Sequence, residues 1–377
     1  MARRAAFVYD DLLTHHRLSD SHPLNAVRLR YTYELLESYR AFDAPNSVMV
    51  GPRQATEAEL LGFHSADYLD AVRRLGYGDT SVDASAFNFA PGDNPAYEGM
   101  YEAGLWSTGA SLVAAEMLIS SEVDVTFSIS GGLHHAMPGY AYGFCVFNDP
   151  VVAINRFLAD GMRVAYVDVD CHHGDGVQLA YYDTDEVLTV SIHESGAFLF
   201  PGTGYTQETG AGRGKGYAVN VPLYPYTSDD VYHWAFDETV PRLIEAFRPD
   251  VLVTQLGIDS HVRDPITHLA VTVQGFSRTV RELAKIAPAK WLALGGGGYD
   301  LQAVARAWTA AYGVMIGQEF PDEVPGSYWE KHGVSTLSDT DVPLFAEQVT
   351  RETQTFAESS VSAVHRLVYP AYGISLA

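Results

Sequence analysis

Short apolar and β-branched runs recur along the chain and alternate with longer segments in which apolar residues have helical spacing. Such runs are typical of strands that are buried on both faces of a parallel sheet. The predicted strands are residues 5–9, 46–50, 123–129, 163–169, 187–192, 217–221, 250–256 and 290–294. The predicted helices are residues 24–39, 96–120, 148–160, 228–247, 274–286 and 300–316. This alternation predicts an α/β fold with a mainly parallel, eight-stranded sheet between two helical layers.

The domain organisation follows from what interrupts this pattern. No Ser/Gly linker, charge block or internal repeat breaks it, so we expect one doubly wound domain over residues 1–317. Beyond that point, prolines and Ser/Thr-rich turns precede an amphipathic run near 343–367. We expect residues 318–377 to form an extension packed on the same domain, and the sequence leaves open whether this extension is an oligomer contact.

Composition narrows the class of protein. Lys and Arg number 24 against 47 Asp and Glu, which gives a net charge of −23 and argues against a nucleic-acid partner. The two cysteines, Cys145 and Cys171, exclude a disulfide-rich scaffold. The N-terminus turns acidic before any long apolar run, and no stretch approaches the ~20 apolar residues of a membrane span. We therefore expect a soluble, cytoplasmic protein with no membrane partner.

The segment VDVDCHHGDG at 167–176 places polar groups at the end of a predicted strand. Asp168, Asp170 and His172 are spaced two apart, so their side chains share one face while the backbone stays extended. Two carboxylates and an imidazole that converge out of water repel or lose hydration unless a cation joins them. The pattern indicates a metal site, and a solvated polar turn is the alternative.

A second acidic loop, QLGIDSH, ends the predicted strand 250–256 and contains Asp259. Because parallel strands end at the same edge of the sheet, Asp259 can meet Asp170 and His172 there. Three protein ligands leave positions open for water and substrate, which is typical of a catalytic metal site. Zn²⁺ fits this set, and Fe²⁺, Co²⁺ or Mn²⁺ also tolerate it.

Adjacent histidines, His134 and His135, follow another predicted strand in the segment SGGLHHAMP. They could be metal ligands, a general acid–base pair or surface residues. Asp168 and Asp175 supply two further carboxylates, each able to accept a hydrogen bond from one imidazole and raise its basicity. This supply of carboxylates favours proton transfer as the role of the histidines.

Four glycines precede Tyr299 in the segment LGGGGYD, directly after the last predicted strand. Glycines let the backbone approach a site closely. The segment lacks the Lys-Ser/Thr pair of a phosphate-binding loop, which is the competing interpretation. We therefore expect Tyr299 to donate its hydroxyl hydrogen to a developing oxyanion.

In this order, the segments SGGLHHA, GFCVFND, VDVDCHHGDG, FPGTG and GGGGYD resemble the motifs of the zinc-dependent histone deacetylase family. The resemblance runs from the first strand to about residue 317, and HPLN at 22–25 with GDNP at 92–95 is most similar to the bacterial acetoin utilisation deacetylases. It implies the three-layer arginase/deacetylase fold. It also implies hydrolysis of acetyl groups on lysine side chains of proteins, with acetyl-CoA synthetase as a candidate substrate.

The resemblance further implies roles for individual residues. Those with chemical roles are the Zn²⁺ ligands Asp170, His172 and Asp259, the general base and acid His135 with its partner Asp175, the second histidine His134 with its partner Asp168, and the transition-state tyrosine Tyr299. Those that bind substrate are Gly143, Phe144, Phe200 and Ile266 in the walls of an acyl-lysine channel, Asp93 at its rim and Arg28 in an acetate exit pocket. Those implied for a structural K⁺ ion are Asp168, Asp170, His172, Ser191 and Ile192.

Other activities remain as alternatives. The arginase branch binds two metal ions with extra acids, and Gly174 and His261 stand at those positions here, so guanidine hydrolysis is disfavoured. An acetylated small amine, such as an acetylpolyamine, is an alternative substrate because a polycation would suit an acidic rim. A non-enzymatic acyl-lysine binder is a lesser alternative, since no ligand and no tyrosine is lost.

Overall fold

Eight parallel strands form one sheet in the computed structural model, which describes residues 3–19, 21–342 and 344–375. The strands are β1 (Ala5–Val8), β2 (Ser47–Val50), β3 (Val125–Ser128), β4 (Val164–Asp168), β5 (Val187–Glu194), β6 (Ala218–Leu223), β7 (Val251–Gln255) and β8 (Lys290–Leu294). Their order across the sheet is β2-β1-β3-β8-β7-β4-β5-β6. Every predicted strand is present and every pairing is parallel, which confirms the α/β fold class.

Helices cover both faces of the sheet. They are α1 (Val27–Ser38), α2 (Glu57–Leu60), α3 (Ala66–Gly76), α4 (Met100–Ile119), α5 (Asp149–Ala159), α6 (Asp175–Ala180), α7 (Asp229–Phe247), α8 (Val273–Ile286), α9 (Leu301–Ile316), α10 (Gly326–His332) and α11 (Glu347–Leu367). Short 3₁₀ turns occupy Asp11–His15, Ala41–Asp43, Ala84–Phe87, Gly212–Gly214 and Tyr369–Tyr372. The six predicted helices correspond to α1, α4, α5, α7, α8 and α9.

Burial explains the composition of the central strands. All residues of β4 and β7 are buried, because helices pack on both of their faces. The strands are accordingly apolar except for Asp168 at the end of β4 and Thr254 and Gln255 at the end of β7. Helices α3 to α6 contact one another in succession, whereas α7, α8, α9 and α1 form a second connected group. These groups enclose the sheet as the outer layers of a three-layer structure.

The C-terminal extension packs on this core. Helix α11 lies against β6 and α7, and its residues Ala357, Val361 and Val364 are buried. Ser360 Oγ donates a hydrogen bond to the carbonyl oxygen of Pro222 in β6. The predicted domain boundary at residue 317 stays a prediction. Within the part of the chain that the structure describes, no helix is both long and apolar enough to cross a membrane.

The sheet places its polar segments along one edge. Asp168 at the end of β4 is in register with Gln255 at the end of β7, and Gln255 is in register with Leu294 of β8. The loops after β3, β8, β7 and β4 therefore begin beside one another, since these four strands are neighbours in the sheet. Sites in open parallel sheets form at such carboxyl ends.

Candidate metal centre and active site

Three side chains from two of these loops form a buried group. Asp170 and His172 follow β4, Asp259 follows β7, and their ligand atoms all lie within 4.8 Å of one another. His172 Nδ1 is 3.1 Å from Asp170 Oδ1 and 2.8 Å from Asp259 Oδ2. The structure thus brings together the three residues that the sequence predicts as metal ligands.

The charges of Asp170, His172 and Asp259 strongly affect one another because all three side chains are buried. Burial, reinforced by the charge of Asp170, raises the pKa of Asp259. Burial alone would lower the pKa of His172, but the charge of Asp259 and the hydrogen bonds with both carboxylates raise it well above its usual value. Two carboxylates out of water are stable only beside a cation, so the donor set of two oxygens and one imidazole nitrogen fits a divalent metal ion.

Two glycines line the group so closely that no side chain would fit. A Cβ atom at Gly297 would lie 2.2 Å from Asp259 Oδ2, and one at Gly257 would lie 2.2 Å from Asp170 Oδ2. The backbone N–H of Gly297 donates to Asp170 Oδ2 at 2.7 Å. The backbone therefore approaches the carboxylates directly and orients them, as the supporting shell of a metal site requires.

Gln255 supports the same group, although the sequence analysis assigned it no role. Its Nε2 donates to Asp170 Oδ2 at 2.6 Å, and its Oε1 accepts from the backbone of Gly257 at 2.7 Å. The signal that could have identified it is its position at the end of a predicted buried strand, where the structure buries it fully.

Each of the two adjacent histidines is paired with a carboxylate. His134 Nδ1 lies 2.7 Å from Asp168 Oδ2, and His135 Nδ1 lies 2.7 Å from Asp175 Oδ1. Because Nδ1 of each ring faces an acceptor, Nε2 is the atom of each ring that could exchange a proton with a substrate. The two Nε2 atoms lie 3.0 Å apart. Tyr166 also donates its hydroxyl to Asp168 Oδ2, at 2.7 Å.

The two imidazoles differ in their affinity for a proton. Burial alone would lower the pKa of His134, but the charges of Asp168 and Asp170 raise it to about 9. Burial lowers the pKa of His135 to about 4, and the neighbouring charge on His134 acts in the same direction. At neutral pH this arrangement leaves His135 as the neutral imidazole, and its Nε2 lone pair faces Nε2 of the protonated His134 ring.

The loop that carries the histidines is held by the GFCVFND segment, whose last two residues the sequence analysis left without a role. Asn148 Nδ2 donates to the carbonyl oxygens of His134 and Ala136, each at 3.0 Å. The Asp149 carboxylate accepts the N–H groups of Gly132 at 3.0 Å and Leu133 at 2.9 Å. Both side chains are buried where α5 begins, and a polar pair at a helix start was the only sequence signal.

Tyr299 completes the wall of a small cavity. The cavity of about 20 Å³ has room for a water molecule. Its lining includes His134, His135, Asp170, Gly143, Phe144 and Tyr299. The turn is fixed by Gly298, which has a φ of +131°, and by the Tyr299 N–H, which donates to Asp264 Oδ2 at 2.9 Å.

The aromatic residues predicted for the substrate channel lie beside these groups. The Phe200 ring centroid is 5.1 Å from that of His135, and the Phe144 centroid is 5.8 Å from that of Tyr299. The backbone N–H of Phe144 donates to Asn94 Oδ1 at 2.9 Å. Asn94 is not among the residues predicted for the site, although its neighbour Asp93 is.

The remaining predicted substrate residues lie at different depths. Asp93 is exposed, and its carbonyl oxygen lies 3.3 Å from His22 Nε2. Ile266 is partly buried, and its N–H donates at 3.1 Å to Asp264, the carboxylate that also holds the backbone of Tyr299. At Gly143 a Cβ atom would lie 2.4 Å from the His135 ring, so this wall requires glycine.

Arg28 lies outside the lining of this cavity, beside the turn that leads to Tyr299. Its guanidinium is buried, donates to the carbonyl oxygen of Gly298 at 2.9 Å and lies 5.3 Å from the ring centroid of Trp308. A second cavity of about 20 Å³ is lined by Arg28, His16 and Ser130, among others. One polar atom of each of these three residues, Arg28 Nε, His16 Nε2 and Ser130 Oγ, has no hydrogen-bond partner.

The residues implied for K⁺ lie on neighbouring strands. Asp168 of β4 is in register with Ser191 of β5, and Ile192 is fully buried beside it. Ser191 Oγ lies 2.8 Å from His193 Nδ1. The K⁺ site itself stays a prediction.

Comparison with known proteins gives the family. The sequence model of the histone deacetylase domain matches residues 22–315. This chain belongs to the histone deacetylase family. Among curated relatives, this family member is 39% identical over 332 residues to the acetoin utilization protein AcuC of Bacillus subtilis (strain 168), covering 85% of each chain. AcuC of Staphylococcus xylosus is 35% identical over 348 residues, covering 89% of this chain and 90% of the relative.

Solved structures give the same assignment. The crystal structure of a histone deacetylase homologue from Aquifex aeolicus superposes with a TM-score of 0.85 at 28% sequence identity, covering 94% of this chain and 100% of that chain. A histone deacetylase homologue complexed with SAHA gives a TM-score of 0.84, also at 28% identity. Family, relatives and fold identify the protein as a deacetylase-type hydrolase with the arginase/deacetylase fold.

Proposed function

We propose that this protein is a zinc-dependent deacetylase that hydrolyses the acetamide of acetylated lysine side chains in proteins. The observation that carries this proposal is the cavity in which His134, His135, Asp170 and Tyr299 share one lining. A proton acceptor, a metal ligand and an oxyanion donor within one small volume are the groups that amide hydrolysis requires.

Asp170, His172 and Asp259 would hold the metal ion. When bound there, a divalent ion would polarise the amide carbonyl and lower the pKa of a water molecule toward ~7. Zn²⁺ is the ion that we propose, and the oxygen-rich donor set also suits Fe²⁺ or Co²⁺.

His135 is the proposed general base and acid. Since its Nδ1–H is directed to Asp175, its Nε2 atom carries the lone pair that would take a proton from the attacking water. The same proton then passes to the amide nitrogen as the carbon–nitrogen bond breaks, which releases acetate and a free amine. His134, held by Asp168, would supply positive charge beside the developing anion.

Tyr299 is the proposed oxyanion donor. Burial, with the charges of Asp259 and Asp170, raises the pKa of its hydroxyl well above the usual value, so the phenol keeps its proton. A neutral donor near the carbonyl oxygen stabilises the negative charge that forms there. Its backbone is fixed by Asp264, which sets the position of the ring.

The remaining predicted residues would hold the substrate and product. We propose that Gly143, Phe144, Phe200 and Ile266 enclose the alkyl chain of acetyl-lysine and that the exposed Asp93 holds the substrate backbone at the rim. The unpartnered Nε of Arg28 supports a role in binding the departing acetate. Asp168, Asp170, His172, Ser191 and Ile192 are the proposed surroundings of a structural K⁺ ion.

Substrate identity decides between two activities. The motif resemblance to acetoin utilisation deacetylases favours protein acetyl-lysine, with acetyl-CoA synthetase as a candidate, whereas the net charge of −23 would also suit an acetylated polyamine. The test is to assay the Zn²⁺-loaded protein in parallel on acetyl-lysine peptides, longer acyl-lysine peptides and acetylpolyamines. Hydrolysis of acetylpolyamines alone would shift the proposal to small amines. Bound Zn²⁺ with no hydrolysis of any substrate would refute the enzyme proposal.

A further inference from the structure

Three buried charged or polar side chains outside the proposed mechanism form a linked group. Asp339 Oδ2 lies 2.9 Å from His261 Nε2, and Asp339 Oδ1 lies 2.8 Å from Arg306 Nη2. The three side chains are only 3%, 0% and 6% exposed, respectively. Because His261 Nδ1 accepts the backbone N–H of Arg263 at 3.1 Å, Nε2 carries the hydrogen that is donated to Asp339.

This group ties the C-terminal extension to the core. We name residues 337–339 the clasp. The Asp339 carboxylate also accepts the N–H of Val273 at 2.7 Å. The backbone N–H of Asp339 donates to Gln274 Oε1 at 2.9 Å. Arg306 donates in addition to the carbonyl oxygen of Leu337 at 3.3 Å. The clasp is therefore anchored to α8, to α9 and, through His261, to the loop after β7.

The loop that His261 belongs to carries active-site residues on both sides of it. Asp259, a proposed metal ligand, lies two positions earlier, and Asp264, which accepts the Tyr299 N–H at 2.9 Å, lies three positions later. The His261 N–H donates to the carbonyl oxygen of Ile258, and its carbonyl oxygen accepts the N–H of Asp264 at 2.8 Å. A movement of His261 would therefore displace the turn that leads from the metal ligand to the support of Tyr299.

We infer that Asp339 is a positioning residue of the active site, which acts through His261 to fix the turn that carries Asp259 and Asp264. Asp339 lies outside residues 22–315, the part of the chain that matches the histone deacetylase domain. The C-terminal extension thus contributes to catalysis as well as to packing. The inference rests on the proposed deacetylase function only for its effect on turnover, because its effect on metal affinity can be measured without a substrate.

The test removes the link while leaving the buried ion pair intact. In the full-length protein, His261→Phe deletes the donor to Asp339 but keeps the Asp339–Arg306 pair, whose disruption would leave an uncompensated buried charge. His261→Gln is the rescue variant, since its amide can still donate from a position close to Nε2. Ser338→Ala is the control, because it removes a contact of the clasp with Asp322 that does not involve His261. If His261→Phe does not fold, His261→Asn, one methylene shorter than the rescue variant, takes its place.

Three measurements are made on each variant. Chelator competition gives the Zn²⁺ affinity, and hydrolysis of an acetyl-lysine peptide gives kcat and KM. Amide hydrogen exchange of residues 257–267 in the metal-free protein reports the stability of the turn. We expect His261→Phe to lower the Zn²⁺ affinity and kcat by about 10-fold each, as changes in residues that support metal ligands typically do. KM should change little, and amide exchange in the turn should become faster. His261→Gln should restore most of the Zn²⁺ affinity and of kcat, and Ser338→Ala should leave these two quantities unchanged.

Two results would overturn the inference. One is wild-type Zn²⁺ affinity and exchange in His261→Phe. The other is an equal loss in Ser338→Ala, which would mean that the clasp contributes general stability alone. If the wild-type protein shows no deacetylase activity while the Zn²⁺ and exchange results are as expected, the proposed function fails and the positioning role stands.

Discussion

Replacing Gly297 by alanine tests the proposed metal centre without altering any ligand. The Cβ atom of the alanine would lie 2.2 Å from Asp259 Oδ2 and 2.8 Å from Asp170 Oδ2. The backbone at Gly297 is not in the left-handed region, so the effect of the substitution is steric. It introduces one methyl group between two carboxylates and changes no charge.

The size of the effect follows from these distances. Ordinary contact with a Cβ atom begins at 3.4 Å, so the carboxylate of Asp259 or the glycine loop must move by about 1.2 Å. Metal sites tolerate deviations of only about 0.2 Å in ligand distance. The required movement is several times larger, and we expect Zn²⁺ affinity to fall by ~100-fold or more, at the upper end of what outer-shell changes cause.

Chelator competition at pH 7 measures the affinity, and hydrolysis of an acetyl-lysine peptide at saturating Zn²⁺ measures the activity that remains. Gly139→Ala is the matched control. It lies in the loop that follows His135, a Cβ atom there would meet nothing within 4 Å, and its backbone is likewise outside the left-handed region. We expect this variant to bind Zn²⁺ and to turn over substrate as the wild-type protein does.

Wild-type Zn²⁺ affinity in Gly297→Ala would refute the reasoning, because it would mean that Asp170 and Asp259 do not both bind the ion in the observed arrangement. Loss of activity with unchanged Zn²⁺ affinity would refute it as well, since the glycine would then act only on the turn that leads to Tyr299. Thermal melting of the metal-free variants separates both outcomes from a loss of folding.

Three further predictions concern single side chains. Tyr299→Phe should lower kcat ~100-fold or more with unchanged Zn²⁺ affinity, because an oxyanion donor contributes roughly 2.7–4 kcal/mol, and near-wild-type kcat would contradict the role. Asp175→Asn should lower kcat by roughly 10²–10⁴-fold at unchanged KM, because an amide can donate to His135 Nδ1 and leave the hydrogen on Nε2. Full activity would contradict the role of Asp175 in setting the tautomer of His135. Burial alone would raise the pKa of Glu59, but hydrogen bonds from Arg53 and Thr56 lower it to about 2. The ionised Glu59 side chain therefore stabilises the fold above pH ~4.5, and this stabilisation is lost as the pH falls toward 2. Glu59→Gln should therefore lower the free energy of unfolding by about 0.5–1 kcal/mol at pH 7, allowing for solvent screening, and a loss that does not shrink between pH 4.5 and 2 would contradict the assignment.

The secondary structure was accessible from the sequence because it depends on local patterns. Each predicted strand corresponds to an observed strand, since β-branched runs buried on both faces leave a continuous apolar signal. The grouping of Asp170, His172 and Asp259 was also accessible, because parallel strands end at one edge and these residues follow two such strands.

The residues that hold the site residues in place could not be predicted from the sequence in the same way. Gln255, Asn148 and Asp149 are ordinary polar residues in the sequence. Gln255 acts by contacting Asp170 in the loop after another strand, and Asn148 and Asp149 act by contacting residues about 12 to 17 positions earlier in their own loop. The requirement for glycine at 297 likewise arises from carboxylates that belong to residues far away in the chain.

The sequence by itself determined the α/β class, the eight strands and six of the helices, and it indicated the residues proposed for the site, because periodicity and residue type act over a few neighbouring positions. Only the tertiary structure decided which loops meet, how closely the Gly297 backbone approaches Asp259, and that Asp339 reaches His261 across 78 positions of the chain. The physical reason is that such distances are set by the packing of helices against the sheet, and no local pattern encodes them.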